Sequence, residues 1–168
     1  MSRRKKILRV VLIVIVAFFV CEGIAVAVSS YVGARNKEWG LKISVDEVDS
    51  LKVTYTMHRE NSEIREEIMT GDAFGLQRWT LFGWKNIHYL EGHGFFTAIA
   101  YSMEAGRPSR ATRTEKRDLE WHFGKLKPGI YRVGKNFSAG SYGEPLIVDG
   151  KEVDNNFNLY APFLILFN

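Results

Sequence analysis

The sequence predicts an all-β protein, an antiparallel β-sandwich preceded by one N-terminal transmembrane or signal helix. Two observations indicate this fold class. A long apolar run follows a basic N-terminus, and short segments of alternating polarity, separated by glycine and proline, fill the rest of the chain. The 168 residues suffice for about one domain. With 46% hydrophobic and 25% charged residues, the composition is globular and excludes a disordered or low-complexity chain.

The N-terminal segment has the features of an export signal. Five basic residues lie within positions 3–9, and the 19 residues from 10 to 28 contain one charge, Glu22. Roughly 20 apolar residues cross a bilayer. Counted only to Cys21, the run instead has the length of a secretory signal, and residues 25–27 (Ala-Val-Ala) then form a cleavage site after Ala27. Because Glu22 lies near the outer end, where a carboxylate reaches the headgroups, we favour the uncleaved anchor.

Both interpretations place the rest of the chain outside the cytoplasm, because the basic residues stay inside. We therefore divide the chain into residues 1–36, which comprise a cytoplasmic stub, the membrane-spanning segment and a linker, and residues 37–168, an extracytoplasmic domain. The net charge of +4 lies entirely within the first 27 residues, and the remainder holds 18 basic and 18 acidic residues. This balance argues against a nucleic-acid partner. Residues 28–168 lack cysteine, so the domain depends on its core, and a bacterial envelope is favoured.

The strands are predicted from alternation and turn residues. Residues 51–58 alternate strictly between apolar and polar, which is typical of a half-buried strand. Residues 146–148 and 151–153 flank Asp149-Gly150, a strong hairpin signal. Further strands are expected at 96–103, at 110–121 (a more exposed strand), at 130–133 and at 159–167. Residues 62–69 are the one segment after the apolar run whose pattern suits a helix, of one or two turns.

A motif in residues 119–135 resembles a known family. Its residues are Trp121, Gly124, Leu126, Pro128, Gly129 and Tyr131, with Lys135 following. They are similar to the bacterial immunoglobulin-like (Ig-like) domain of exported Gram-positive proteins. Weaker matches at 70–76 and 159–165 extend the resemblance to residues 41–168. It implies an Ig-like sandwich. One departure is the order Gly83-Trp84-Lys85, where the family has Gly-Lys-Trp.

The residues of this motif also make physical sense alone. Pro128 and Gly129 suit the two corners of a type II turn, since proline fixes the first φ and glycine accepts the positive second φ. The spacing from Leu126 to Tyr131 is that of a tyrosine corner, in which the phenol bonds back to the backbone across the turn. Val133 then lies where antibody domains have the second cysteine of their disulfide. We expect both the turn and the corner.

Two surfaces are candidates for binding. The loop at 82–96 carries Trp84 and Tyr89 among glycines, and exposed aromatic residues are common anchors of interfaces. We expect Tyr89 to be exposed and Trp84 mostly buried, with at least one of Trp79 and Trp84 in the core. The second candidate is a basic run that could meet an anionic wall polymer or lipid headgroups. It consists of Arg107, Arg110 and Arg113, with Lys116 and Arg117.

Catalytic patterns are weak. The sequence has no nucleophile elbow, no phosphate-binding glycine loop and no cysteine cluster, and Cys21, its only cysteine, is interpreted as apolar filler. His88, Glu91 and His93 could offer nitrogen and oxygen ligands to zinc, but they lie among glycines without an adjacent third strong ligand, and a solvated loop is the favoured interpretation. We predict no catalytic residue, metal or cofactor. The alternative is a small envelope enzyme, or a subunit of one, that uses a metal at the His88–His93 loop.

The sequence therefore predicts a single-pass membrane protein with an extracytoplasmic Ig-like module. The module would act by binding or scaffolding at the bacterial envelope, without catalysis. Expected partners are the lipid bilayer, through the N-terminal helix, and an envelope protein or anionic wall polymer. If the signal is cleaved after Ala27, the protein is secreted instead.

Overall fold

The computed structural model describes residues 3–140 and 145–166, and the side chains from residue 7 onward within the first helix. Contacts divide the chain into two compact units, one ending at Val32 and one beginning at Gly33. The first unit is helix α1 (Arg3–Gly33). Within it, the 27 residues Ile7–Gly33 contain an 18-residue window with a mean hydropathy of 2.9, and the helix is long and apolar enough to cross a membrane. The predicted N-terminal apolar helix is thus present, and a signal sequence would have the same properties.

The second unit consists mostly of antiparallel strands. In chain order the strands are β1 (Arg35–Asn36), β2 (Leu41–Asp49), β3 (Lys52–Arg59), β4 (Ile68–Gly71), β5 (Gly75–Thr80), β6 (Gly83–Ile87), β7 (Ala100–Met103), β8 (Thr112–Asp118), β9 (Gly129–Ser138), β10 (Leu146–Val148), β11 (Lys151–Val153) and β12 (Asn156–Ile165). Two short helices flank β8, namely α2 (Pro108–Ala111) and α3 (Leu119–Phe123). The all-β class is confirmed.

The strands form two sheets and a small hairpin. The first sheet has the order β1-β2-β3-β8. In the second sheet, β9 pairs on one side with β5, which continues to β6, and with β4, which continues to β7. On its other side β9 pairs with β12 over ten residues. Strands β10 and β11 pair only with each other.

The core lies between the two sheets and follows the period of two that strands impose. The first sheet contributes Val53, Tyr55 and Met57 from β3, and the second contributes Val133 and Phe137 from β9. Residues between these positions point away from the core. Val133, at the position where antibody domains have their second cysteine, is fully buried.

Several predicted elements are confirmed. Strand β3 matches the alternation at 51–58, and the β10–β11 hairpin turns at Asp149 and Gly150, whose φ values of 49° and 76° are those of a type I′ turn. The strand at 110–121 is confirmed for Thr112–Asp118, but helices replace its two ends. Of the strand predicted at 96–103, only Ala100–Met103 forms. Strand β12 begins three residues before the predicted 159, and residue 167 lies outside the described residues.

Two backbone predictions are wrong. Residues 62–69 form no helix. The segment instead leads into β4, which begins at the fully buried Ile68. The type II turn at Pro128-Gly129 is also absent, since Gly129 already belongs to β9 and its φ of 157° differs from the roughly 80° of such a turn. The tyrosine corner is confirmed without it: the Tyr131 hydroxyl donates to the carbonyl oxygen of Lys127 at 2.6 Å.

The core tryptophan is not one of the two expected. Trp39 is 0% exposed, and its Nε1 donates to the carbonyl oxygen of Asp154 at 2.8 Å. Trp79 and Trp84 are only half-buried, so the prediction that one of them belongs to the core is wrong. Trp121 of the family motif is 52% exposed. The strand β5 places Leu76 inward, and alternation then turns Trp79 toward the outer face.

Candidate functional site

The loop between β6 and β7 is folded onto α3. The backbone N–H of Leu90 donates to the carbonyl oxygen of His122 at 2.9 Å, and His122 Nδ1 donates to the carbonyl oxygen of His93, also at 2.9 Å. These bonds turn Tyr89 inward. Its ring stacks on Phe123 with 4.6 Å between centroids and packs against the core. The prediction that Tyr89 is exposed is therefore wrong, and burial raises the pKa of Tyr89 to about 12.

The same loop does not assemble the metal site considered from the sequence. His93 Nδ1 hydrogen-bonds the carbonyl oxygen of Trp121, and its ring lies against the Trp121 indole. Within residues 3–140 and 145–166, no group of three His, Cys, Asp or Glu side chains is placed to hold a metal ion. The structure thus uses His93 for packing, and His88 and Glu91 lie exposed beside it.

The basic run is largely occupied by ion pairs. Arg107 and Arg110 share the carboxylate of Glu104. Arg113 donates from Nε to Glu115 at 2.8 Å, and its guanidinium lies 3.2 Å from the centre of the Tyr101 ring. Arg110 and Arg113 therefore each have a carboxylate within reach. This pairing reduces the positive field that an anionic polymer would meet.

A groove lies on the outer face of the second sheet, the face opposite the core. Its floor is bare because Gly75 of β5 and Gly134 of β9 are directly paired, so neither strand projects a side chain there. The groove has a volume of about 370 Å³, within the range of ligand sites. It is lined by Ala73, Phe74, Gly75, Gln77, Asn86, Tyr89, Gly94, Phe96, Gly134, Asn136, Asn158 and Tyr160.

One wall of the groove is held by close packing over Gly134. A Cβ atom at Gly134 would lie 2.7 Å from Cε1 and 2.9 Å from Cδ1 of Tyr160, so only glycine leaves room for this edge of the Tyr160 ring. The opposite wall comes from the β6–β7 loop, where Tyr89 and Phe96 are packed at 5.4 Å between ring centroids. By contrast, a Cβ at Gly75 would meet no atom within 4 Å. The space above the backbone at Gly75 is thus empty.

A stacked arginine adjoins the groove. The Arg132 guanidinium lies 4.3 Å from the Trp84 ring and 4.0 Å from the Tyr160 ring, and its Nε donates to Gln77 Oε1 at 2.6 Å. Burial lowers the pKa of Arg132. Trp84 also meets Trp79 edge-on at 5.2 Å. Trp84 is half-buried, less than expected, and it contacts both Trp79 and Arg132 on the outer face.

Amide side chains flank the groove at both ends. Gln77 Nε2 donates to Asn86 Oδ1 at 2.7 Å, and Asn136 Nδ2 donates to Asn156 Oδ1 at 2.9 Å. Asn86, Asn136 and Asn158 are exposed. Asn86 accepts at Oδ1 from Gln77, and Asn158 accepts at Oδ1 from Asn136 at 3.4 Å. The groove therefore offers hydrogen-bond donors and acceptors without a formal charge.

A cluster of charges lies inside the sandwich instead. Glu115 of β8 is 5% exposed, and Lys135 of β9 is 1% exposed. Glu115 Oε2 accepts from the Tyr55 hydroxyl at 2.7 Å and from Arg117 at 2.6 Å, and it lies 3.5 Å from Lys135 Nζ. Arg113 holds the other carboxylate oxygen, and Arg117 also binds Asp72. We call Tyr55, Asp72, Arg113, Glu115, Arg117 and Lys135 the interior charge cluster.

The cluster fixes the protonation of its members. Burial alone would raise the pKa of Glu115, but the hydrogen bonds from Tyr55 and Arg113 and the charge of Lys135 lower it below its ordinary value. The bond from Arg117 lowers the pKa of Asp72. Burial lowers the pKa of Lys135 against the opposing pull of Glu115. Both carboxylates are thus ionised at neutral pH, and each is paired with a cation of the cluster.

Sequence patterns predicted only part of this surface. Of the two predicted aromatic residues, Trp84 lies on the outer face beside Arg132, and Tyr89 lies in the β6–β7 loop and lines the groove. Arg132, Tyr160 and the Gly75–Gly134 pair were not predicted. One signal was available: in 156–160 (Asn-Phe-Asn-Leu-Tyr) amides and tyrosine alternate with apolar residues, which predicts an outer face of amide and aromatic side chains.

Comparison with known proteins identifies one family. A family model described as a bacterial Ig-like domain matches residues 37–161. No curated protein matches the chain. The matched range contains the strands β2 to β9 and most of β12, and thus the outer face and the groove.

Proposed function

The chain belongs to the bacterial Ig-like domain family, and from this membership we propose that it is a binding or scaffolding module of the bacterial cell envelope. Ig-like sandwiches commonly serve recognition, with function carried by particular surface features of the sandwich. The observation that carries the proposal is the groove over Gly75 and Gly134. It is a preformed concavity with aromatic walls and amide ends.

We further propose that α1 is an uncleaved anchor with the N-terminus in the cytoplasm. Five basic residues precede the apolar run, which supports retention of that end inside. The bilayer is then a partner through α1, and residues 37–168 lie outside. Protease added to intact protoplasts should digest the domain, and protection of the domain would contradict this topology. If mass spectrometry shows that the mature protein begins at Val28, the signal is cleaved and the protein is secreted rather than anchored.

The proposed module is not catalytic. The groove is lined by glycine, alanine, amide and aromatic residues, and among the described lining residues there is no Ser, Thr, Cys, Lys, His, Asp or Glu, the types that most often supply a nucleophile or a general base. The acidic and basic residues of the interior charge cluster are paired with one another, and Glu115 and Lys135 among them are buried. Binding is therefore the activity that the surface supports.

A groove-filling variant tests the binding surface. Gly75→Trp adds a large side chain where a Cβ meets no neighbouring atom, and the backbone at Gly75 does not have a positive φ. The matched control is Ser44→Trp, which adds the same side chain to an exposed position of β2 in the first sheet. Full-length protein in detergent micelles should bind isolated cell envelopes, and Gly75→Trp should lose that binding while Ser44→Trp retains it. Equal binding by both variants would show that the groove is not the binding surface.

A further inference from the structure

Resting on the proposed function, we propose that the groove binds a neutral sugar chain, and that the physiological ligand is a glycan strand of the cell wall. This assignment names the ligand class of the groove over Gly75 and Gly134. The chemistry of the lining, the aromatic walls and the placement of the amides each support it.

The lining indicates an uncharged ligand. Among the described residues that line the groove, none carries a formal charge at neutral pH. An adjacent cation, Arg132, lies against the rings of Trp84 and Tyr160 and donates to Gln77. A site for an anionic polymer places cations within reach of the ligand. The charge pattern of this face therefore favours a neutral polymer over an anionic one.

The walls suit the apolar faces of sugar rings. A pyranose ring presents a row of C–H groups on one face, and these carry a slight positive charge that the negative face of an aromatic ring attracts. Tyr160 packs the Cδ1–Cε1 edge of its ring over Gly134 and lines the groove. Tyr89 and Phe96 form the other wall. Packing holds all three rings in place before a ligand arrives, which lowers the entropy lost on binding.

The amides suit the hydroxyl and acetamido groups of a sugar. An amide side chain offers two donors and one acceptor oxygen, which matches hydroxyls that both donate and accept. Asn86 is held at its oxygen by Gln77 and directs its remaining donors away from that bond. Asn158 lies at the other end, beside Asn136. A chain of N-acetylated sugars that runs from Asn86 to Asn158 would meet donors at both ends and aromatic rings between them.

A defined oligosaccharide tests this inference. We would titrate full-length protein in detergent micelles with a β-1,4-linked hexasaccharide of N-acetylglucosamine by isothermal calorimetry. We expect saturable binding, which Gly75→Trp weakens by at least about tenfold and Ser44→Trp leaves unchanged. Because the ligand is neutral, its affinity should not fall from low to high salt. A second variant, Asn158→Ala, removes an exposed amide without touching the core and should also weaken binding.

The outcomes separate the two proposals. If Gly75→Trp abolishes binding to envelopes but the hexasaccharide does not bind, the sugar assignment is wrong and the binding surface stands. If poly(glycerol phosphate) binds in the groove with an affinity that falls with salt, the ligand is an anionic polymer. If the hexasaccharide binds wild type, Gly75→Trp and Asn158→Ala equally, sugar binding occurs elsewhere and the assignment to this groove is overturned.

Discussion

The interior charge cluster and the groove on the outer face use polar side chains in opposite ways. Between the sheets, Glu115 and Lys135 are charged, buried and satisfied by each other and by Tyr55 and Arg117. On the outer face, where water solvates charges and their desolvation penalty is small, the groove presents amides, aromatic rings and bare glycine backbone. The difference shows which polar residues hold the fold and which remain available to a ligand. Substitutions in the two regions should therefore change different measured quantities.

The largest effect on stability is expected for Glu115→Gln. The variant keeps the shape of the side chain but removes the carboxylate that pairs with buried Lys135, and Asp72, which is bonded to Arg117, remains as the cluster's one carboxylate. Removal of one partner from a buried pair costs about 3–5 kcal/mol, and we expect a decrease of that size in the free energy of unfolding. Chemical denaturation of the full-length protein measures it. The exposed Glu47→Gln, with the same change of charge, should be close to neutral.

Acid should destabilise the domain through the same cluster. The pKa values of Glu115 and Asp72 are lowered in the folded state, so the stability that they contribute is present above their ordinary pKa values of about 4 and is lost as the pH falls through the folded-state pKa values. Unfolding free energy measured against pH should be level from neutrality to about pH 5 and should fall below about pH 4. In Glu115→Gln the unfolding free energy should decrease less steeply below about pH 4. If the decrease is the same as in the wild type, Glu115 does not cause the acid destabilisation.

Two tyrosines compare a charged acceptor with a neutral one. Tyr55 donates to the Glu115 carboxylate at 2.7 Å, whereas Tyr131 donates to the Lys127 carbonyl oxygen at 2.6 Å. Hydrogen bonds to charged groups contribute more, so we expect Tyr55→Phe to cost about 2 kcal/mol and Tyr131→Phe about 1 kcal/mol. Both rings stay in place, and thermal denaturation of the two variants ranks them. The reverse order would mean that the interior charge cluster adds nothing beyond ordinary hydrogen bonding.

The smallest effect on stability is expected for Asn86→Ala on the outer face. Asn86 is exposed and accepts one hydrogen bond, from Gln77. We expect unfolding free energy to change by less than about 0.5 kcal/mol, while affinity for the hexasaccharide falls by about tenfold. Lys116→Ala, at an exposed position of β8, is the matched control and should change neither quantity. A stability loss in Asn86→Ala without a loss of affinity would assign Asn86 to the fold.

Local signals in the sequence predicted much of the fold. Alternation alone identifies β3, and Asp149-Gly150 identifies the β10–β11 hairpin, because both depend on neighbouring residues. The tyrosine corner is also local, since Tyr131 bonds a residue four positions earlier. The prediction that Tyr89 is exposed was wrong because its orientation depends on hydrogen bonds between its loop and α3, about 30 residues away in the sequence.

The interior charge cluster and the groove both depend on pairings between residues far apart in the sequence, which a single sequence does not reveal. Strand β8 (Thr-Arg-Thr-Glu-Lys-Arg-Asp) is polar throughout, so nothing in it marks Glu115 as buried until Tyr55, 60 residues earlier, pairs with it. The groove likewise requires Gly75 to lie opposite Gly134. Alternation does predict that Asn158 and Tyr160 face outward together, and this is the part of the site that the sequence contains.

The division between a structural interior and a binding exterior is tested most directly by measuring two quantities on the same two variants. Unfolding free energy and hexasaccharide affinity would be determined for Glu115→Gln and Gly75→Trp in the full-length protein, with affinity measured at a temperature where both are folded. We predict that Glu115→Gln loses stability and keeps its affinity, while Gly75→Trp keeps its stability and loses its affinity. If Gly75→Trp is destabilised as much as Glu115→Gln, or if Glu115→Gln loses binding while folded, the division is contradicted.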